Sequence, residues 1–178
     1  MLECIFPTMT DASLPHPDNF HAQAALGWMD LGDLAEARRE LERITQAQQQ
    51  HPDTLEVGWK LCGEEGDWKA ALTVAEQLVA VAPGRLSGWI DQSYSLHELR
   101  RTAEAYERLA AAAEKFPEEF VIPYNLACYQ CRLGRPDEAL RWLECAVTAA
   151  DRETIRAMAA DDPDLEAMRE QVNTLLDG

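Results

Sequence analysis

Residues 124–146 read YNLACYQCRLGRPDEALRWLECA, and the placing of one glycine and one alanine in that stretch decides the fold. Gly134 separates two runs of apolar residues, and Ala139, Leu143 and Ala146 follow it at intervals that keep them on one helical stripe. The same turn recurs at Gly32, Gly66 and Arg100, each 34 residues from the next. With it recur Ala37, Ala71, Ala105 and Ala139, then Leu41, Ala75, Leu109 and Leu143, then Ile44, Leu78, Ala112 and Ala146. Ahead of the turns stand the small side chains Ala25, Ser93 and Ala127, with Trp59 as the exception. Pro83 and Pro117 close the second and third units, again 34 apart. A period of this length marks a repeated helical hairpin, a unit that buries its apolar face only by stacking on its neighbours.

The fourth unit, with Tyr124-Asn125-Leu126-Ala127-Cys128-Tyr129 before the turn and Leu133-Gly134-Arg135-Pro136-Asp137-Glu138-Ala139-Leu140 around it, resembles the tetratricopeptide repeat family. Leu31-Gly32-Asp33-Leu34-Ala35-Glu36-Ala37 and Glu65-Gly66-Asp67-Trp68-Lys69-Ala70-Ala71-Leu72 follow the same pattern. The third unit departs from it, with Arg100 in place of the glycine and Gln92-Ser93 as its small pair, while Trp89, Ala105 and Pro117 keep register. The resemblance covers residues 18–150 and implies an all-α fold, a right-handed α-α superhelix of four helical hairpins over 18–51, 52–85, 86–119 and 120–150. Residues 1–17 precede it as an N-terminal arm. Residues 151–178 follow as a C-terminal capping helix, in which Asp161-Asp162-Pro163-Asp164 starts a helix striped by Leu165, Met168, Val172, Leu175 and Leu176.

Physical chemistry explains the columns. Two helices that cross closely need small side chains where their backbones meet, which suits alanine. A glycine at the turn takes a positive φ without a Cβ penalty, and Asp33 or Asp67 after it accepts from free amides of the next helix. Arg100 is expected to bear strain in that position. Pro83 and Pro117 stop second helices, whereas Pro52 arrives three residues late, which predicts one extra turn on the helix before it.

The chain carries 32 acidic and 16 basic residues, a formal net charge of −16. Phosphates and anionic membrane surfaces would be repelled, so nucleic acid and membrane are disfavoured and the expected partner is a basic or neutral protein or peptide. The bland alternative is that the charge solvates outer helix faces. No apolar run is long enough to span a membrane, and Met1-Leu2-Glu3-Cys4-Ile5-Phe6-Pro7 lacks a basic leader region, so a cytoplasmic protein is expected. Five cysteines, Cys4, Cys62, Cys128, Cys131 and Cys145, show no framework spacing, in keeping with a reducing compartment. In the arm, Leu2, Ile5 and Phe6 form an apolar front that is either solvated or docked on the solenoid or on another molecule, and self-association through it is an alternative to a purely partner-binding role.

In tetratricopeptide proteins the first helix of each pair lines the concave face. The resemblance therefore implies a partner-binding groove made by Met29, Glu56, Lys60, Ile90, Asp91, Tyr94, His97, Tyr124, Asn125, Cys128 and Arg132. Tyr94 and Tyr124 stand out as amphipathic anchors, with packing between helices as the competing reading. The family's carboxylate clamp is absent, because Asp91 falls where a cation is needed.

Catalytic signals are weak. Cys128-Tyr129-Gln130-Cys131 lies inside a helix rather than at its N-terminus, and nothing there lowers a thiol pKa. His97-Glu98 lacks the second histidine of a zinc helix, and Asp161, Asp162 and Asp164 read as helix caps rather than cation ligands. Trp28, Trp59, Trp68, Trp89 and Trp142 fall on or beside packing columns and read as core. A non-catalytic interaction module is expected, with no cofactor or metal. Its nearest variants are a small acidic chaperone or adaptor of a secretion or assembly system and a self-associating structural protein.

Overall fold

A computed structural model describes residues 13–177, and among these the regular structure is helical, with no strand. Contacts divide the chain into two units, Met1–Gly88 and Trp89–Gly178. The first holds α1 (Asp18–Asp30), α2 (Leu34–Arg43), a 3₁₀ turn (Gln46–Gln48), α3 (Pro52–Glu64) and α4 (Trp68–Val81). Helix α5 (Leu86–Glu98) belongs to the second unit from Trp89 onward. There follow α6 (Thr102–Ala113), α7 (Val121–Arg132), α8 (Pro136–Ala149), α9 (Arg152–Ala159), a second 3₁₀ turn (Pro163–Met168) and α10 (Arg169–Asp177).

The four recurrent turns share one geometry. Gly32, Gly66 and Gly134 have φ of 77°, 72° and 73°, and Arg100 takes 62° in their place. In each, the amide of the positive-φ residue donates three residues back and the next amide donates five back. Gly134 N donates to Cys131 O and Arg135 N to Gln130 O, both at 2.9 Å, and Arg100 N and Arg101 N reach His97 O and Leu96 O at the same distance. This bond pair satisfies carbonyls that a helix end leaves without partners, and it requires the left-handed backbone that glycine adopts freely. The start of the next helix is then closed by a carboxylate where one is available. Asp33 accepts from Glu36 N at 3.0 Å and Asp67 from Ala70 N at 3.1 Å, as the sequence predicts.

Ala37, Ala71, Ala105 and Ala139 are fully buried, as are Ala25, Ser93 and Ala127. Trp59, the large residue in that column, remains half-buried. Two cores result. In the first unit Leu14, Ala22, Ala25, Met29, Ala37, Ile44, Val57 and Leu61 pack together. In the second, Ala127, Ala139, Leu143 and Ala146 meet Ile155, Leu165, Met168, Val172 and Leu176.

Three expectations need correction. Helix α2 gains no extra turn: it ends at Arg43, the surplus residues form a separate 3₁₀ turn, and Pro52 opens α3 at its first position, where its missing N–H costs nothing. The cap is not one helix. It comprises α9, whose start Asp151 closes by accepting from Thr154 N at 2.8 Å, then the 3₁₀ turn, then α10, with the expected stripe buried beneath them. Trp28 is not core, since 37% of it is exposed on α1.

Of the arm, Leu14 is buried in the first core and its amide donates to Asp53 Oδ2 at 2.9 Å. Leu2, Ile5 and Phe6 lie outside the described residues.

Candidate partner-binding site

In the second unit the residues singled out on α5 and α7 meet an acidic segment from the cap. Asp162 follows α9, and its Oδ1 accepts from Asp164 N at 2.9 Å, which starts the 3₁₀ turn. Its Oδ2 accepts from the Tyr124 hydroxyl at 2.7 Å and from the Cys128 thiol at 3.4 Å. Asp164 faces two bases, His97 Nε2 at 3.1 Å and Arg132 Nε at 3.5 Å. With its hydrogen on Nε2, the His97 ring donates to Asp164 while Nδ1, 3.0 Å from Thr102 Oγ1, accepts from that hydroxyl. The ring lies against Tyr129, centroids 5.1 Å apart, and the Tyr129 hydroxyl is 3.1 Å from Ser93 Oγ. Residues 162–164 thus seat on α7 through a connected polar network above the buried stripe.

The electrostatics follow from burial and from these carboxylates. Burial pushes the Cys128 thiol well above its ordinary range, and the charge and hydrogen bond of Asp162 push it further. Cys131 rises for the same first reason, with Asp164 adding to it. Both members of the CxxC are therefore held as thiols, the opposite of a reactive pair. Tyr124 is raised by burial, then by Cys128 and Asp162. Burial pulls Asp164 upward, but the hydrogen bond and electrostatics of His97, with the guanidinium charges of Arg132 and Arg100, outweigh it and hold the carboxyl below its usual range.

Beside the seated segment a cleft of about 440 Å³ stays open, walled by Tyr94, Glu98, Asn125, Met158 and Asp161 among others. Tyr94 is 41% exposed there, and burial of the rest of it, followed by Glu98, raises its hydroxyl.

In the first unit Glu56 lies 3.2 Å from Arg85 and accepts from Ser87 Oγ at 2.5 Å. Arg85 also pairs with Asp53 at 2.7 Å, and Lys60 stands 3.9 Å from Asp30. No cluster of three or more metal-ligating side chains occurs among the described residues, and no helix among them is long and apolar enough to cross a membrane.

No protein-family model matches the sequence, and no curated protein matches it. Solved structures do match the fold. A thermophilic TPR protein of Thermus thermophilus, TTC0263, superposes with a TM-score of 0.67 at 20% identity, over 90% of each chain. The chain has the tetratricopeptide-repeat fold. MamA from Desulfovibrio magneticus RS-1, residues 41 to the end, superposes at 0.66 and 15% identity over 93% of this chain and all of that one. Another MamA structure, AMB-1, gives 0.63 and 20% over 88% and 97%.

On this tetratricopeptide frame the residues named from sequence divide by exposure. Tyr94, Asn125 and Arg132 offer surface in the second unit, Ile90 offers some, and Glu56 and Lys60 do so in the first. Met29, Asp91, His97, Tyr124 and Cys128 are buried and present little surface to a partner. Met29 is core because α2 and α3 enclose it, and Tyr124, Cys128 and His97 are covered by the acidic segment. Tyr124 therefore resolves as a packing tyrosine and Tyr94 as an exposed one. Glu98 was legible in the sequence as lying near this surface, whereas Met158, Asp161, Asp162 and Asp164 were missed as parts of it. One signal was available: Asp162 stands 34 residues after Cys128, one repeat period on, where a further tetratricopeptide unit would stack.

Proposed function

We infer that this chain is a non-catalytic protein-interaction module that takes a segment of a basic or neutral partner protein on the open face of its second unit. The observation that carries this is the cleft in which Tyr94 is exposed with Asn125 at its wall, on a helical frame whose CxxC thiols are held protonated. A half-exposed tyrosine supplies apolar area with a polar tip and little entropy to lose, the usual composition of an interface anchor. Arg132 at the edge of α7 and the acidic walls then set orientation and steer the approach of a partner of opposite charge. Helical repeats use such faces for binding segments of other proteins, which supports the reading by fold. The free thiols Cys62, Cys128, Cys131 and Cys145 suit a reducing, cytoplasmic setting.

Affinity capture with the whole chain as bait, against Tyr94→Ala combined with Asn125→Ala, tests the reading. A protein held by the wild type and lost by the variant is the expected result, and identical captures would count against it.

Self-association is a second reading, favoured by one observation: Phe20 on α1 is 62% exposed and Leu31, which caps its end, 77%. Sedimentation at rising concentration should then show a dimer that Phe20→Ser with Leu31→Ser abolishes, and a monomer throughout would remove this reading.

A further inference from the structure

We propose that the cleft beside Tyr94 is a socket for an arginine side chain of the partner, with the guanidinium between Glu98 and Asp161 and its plane on the Tyr94 ring. This deepens, and rests on, the interaction-module reading. The wall charges are already partly used. Asp164 is balanced by His97 and Arg132. Asp162 has both oxygens engaged, yet its donors are an amide, a hydroxyl and a thiol, none of them a cation, so its charge still acts on the cleft. Glu98 holds the Tyr94 hydroxyl. Neither Glu98 nor Asp161 has a basic group at ion-pair distance among the described residues, although Arg100 and Arg132 lie near enough to act on Asp164. The mouth therefore keeps uncompensated negative charge around an apolar floor of Tyr94 and Met158, which are 41% and 36% exposed.

That combination matches a cation with a flat, weakly hydrated face and a long apolar stem. A guanidinium stacks on an aromatic ring while its fork of N–H groups reaches carboxylates, and its methylenes cover the apolar wall; a lysine ammonium satisfies only the charge. The volume of about 440 Å³ admits one long side chain with its flanking backbone. The cap is what creates the socket. Residues 161–164 cover the groove face of Tyr124 and Cys128 and replace it with an acidic rim, so the partner meets Tyr94, Glu98 and Asp161 instead.

The test is a methyl and aromatic NMR titration of the full chain with acetyl-Gly-Arg-Gly-amide and with the same peptide carrying citrulline, which keeps the shape and removes the charge. The arginine peptide should shift the Met158 methyl and Tyr94 ring signals in a saturable way, and citrulline should not. Glu98→Gln with Asp161→Asn should weaken the arginine response by about fivefold, as the loss of two partly exposed ion pairs implies, with the helical spectrum unchanged. Tyr94→Leu should weaken it while leaving those carboxylates in place. Equal responses to both peptides, shifts spread evenly over the acidic surface, or a response that survives the double variant would overturn the assignment. A captured partner that binds the double variant normally would also sink the socket while leaving the module reading intact. Arginine entering the cleft of a chain that captures nothing would do the reverse.

Discussion

Arg100→Gly should stabilise the protein. Arg100 holds φ at 62° in a turn whose three counterparts are glycines, and a left-handed conformation costs a residue with a Cβ about 1–2 kcal/mol. Glycine recovers that cost but loses about 0.4–1 kcal/mol through the freedom it adds to the unfolded chain. The net expectation is a gain of about 0.5–1 kcal/mol, or roughly 2 °C in a chain of this length. The turn bonds from Arg100 N and Arg101 N are backbone bonds and survive the change. Two controls isolate the cause. Arg100→Gln removes the charge that acts on Asp164 and keeps the Cβ, so it should bring no gain. Gly134→Ala should cost about 1 kcal/mol by backbone strain alone, because a Cβ there meets nothing within 4 Å. Urea melts followed by circular dichroism read all three. A loss of stability in Arg100→Gly, or a neutral Gly134→Ala, would refute the claim that the four turns share one strained geometry.

Ala139→Leu should destabilise by about 1–3 kcal/mol through overpacking of a fully buried column, while Ala111→Leu on an exposed face stays within about 0.5 kcal/mol; equal melting temperatures would contradict the register. Tyr124→Phe should cost about 1–2 kcal/mol, since it removes the hydroxyl that donates to Asp162, and chemical denaturation measures it. Acid should weaken both units. Asp164 and Asp53 lie below their usual range despite burial, Asp53 because of the Leu14 amide and Arg85, so their contribution is complete above about pH 4 and fades as pH falls through the depressed values. A melting temperature unchanged between pH 5 and pH 2.5 would show that neither carboxylate matters.

The fold was legible because the repeat writes each constraint several times. Four turns with one φ, and a column of alanines where helices cross, follow from glycine's backbone freedom and from side-chain volume, both visible in single residues. Arg100 shows the strength of the register, since the backbone keeps the left-handed turn even without glycine. The site was legible only in part. Tyr94 and Tyr124 both lie on first helices of their pairs, α5 and α7, with Tyr94 in register with Cys128 and Tyr124 with Ile90, and no property of tyrosine tells which is covered. What separates them is Asp162, distant in the chain and readable from its neighbours only as a helix cap. The Pro52 misreading has a similar origin, because proline both ends one helix and begins another, and the residues before it were long enough to form a turn of their own.

The most direct test of the central claim is the affinity of the captured partner for the wild type and for Tyr94→Ala with Asn125→Ala, measured by calorimetry alongside thermal melts. The account predicts binding weaker by about 2 kcal/mol, roughly thirtyfold, at an unchanged melting temperature. An unchanged affinity, or a loss seen only because the variant unfolds, would contradict it.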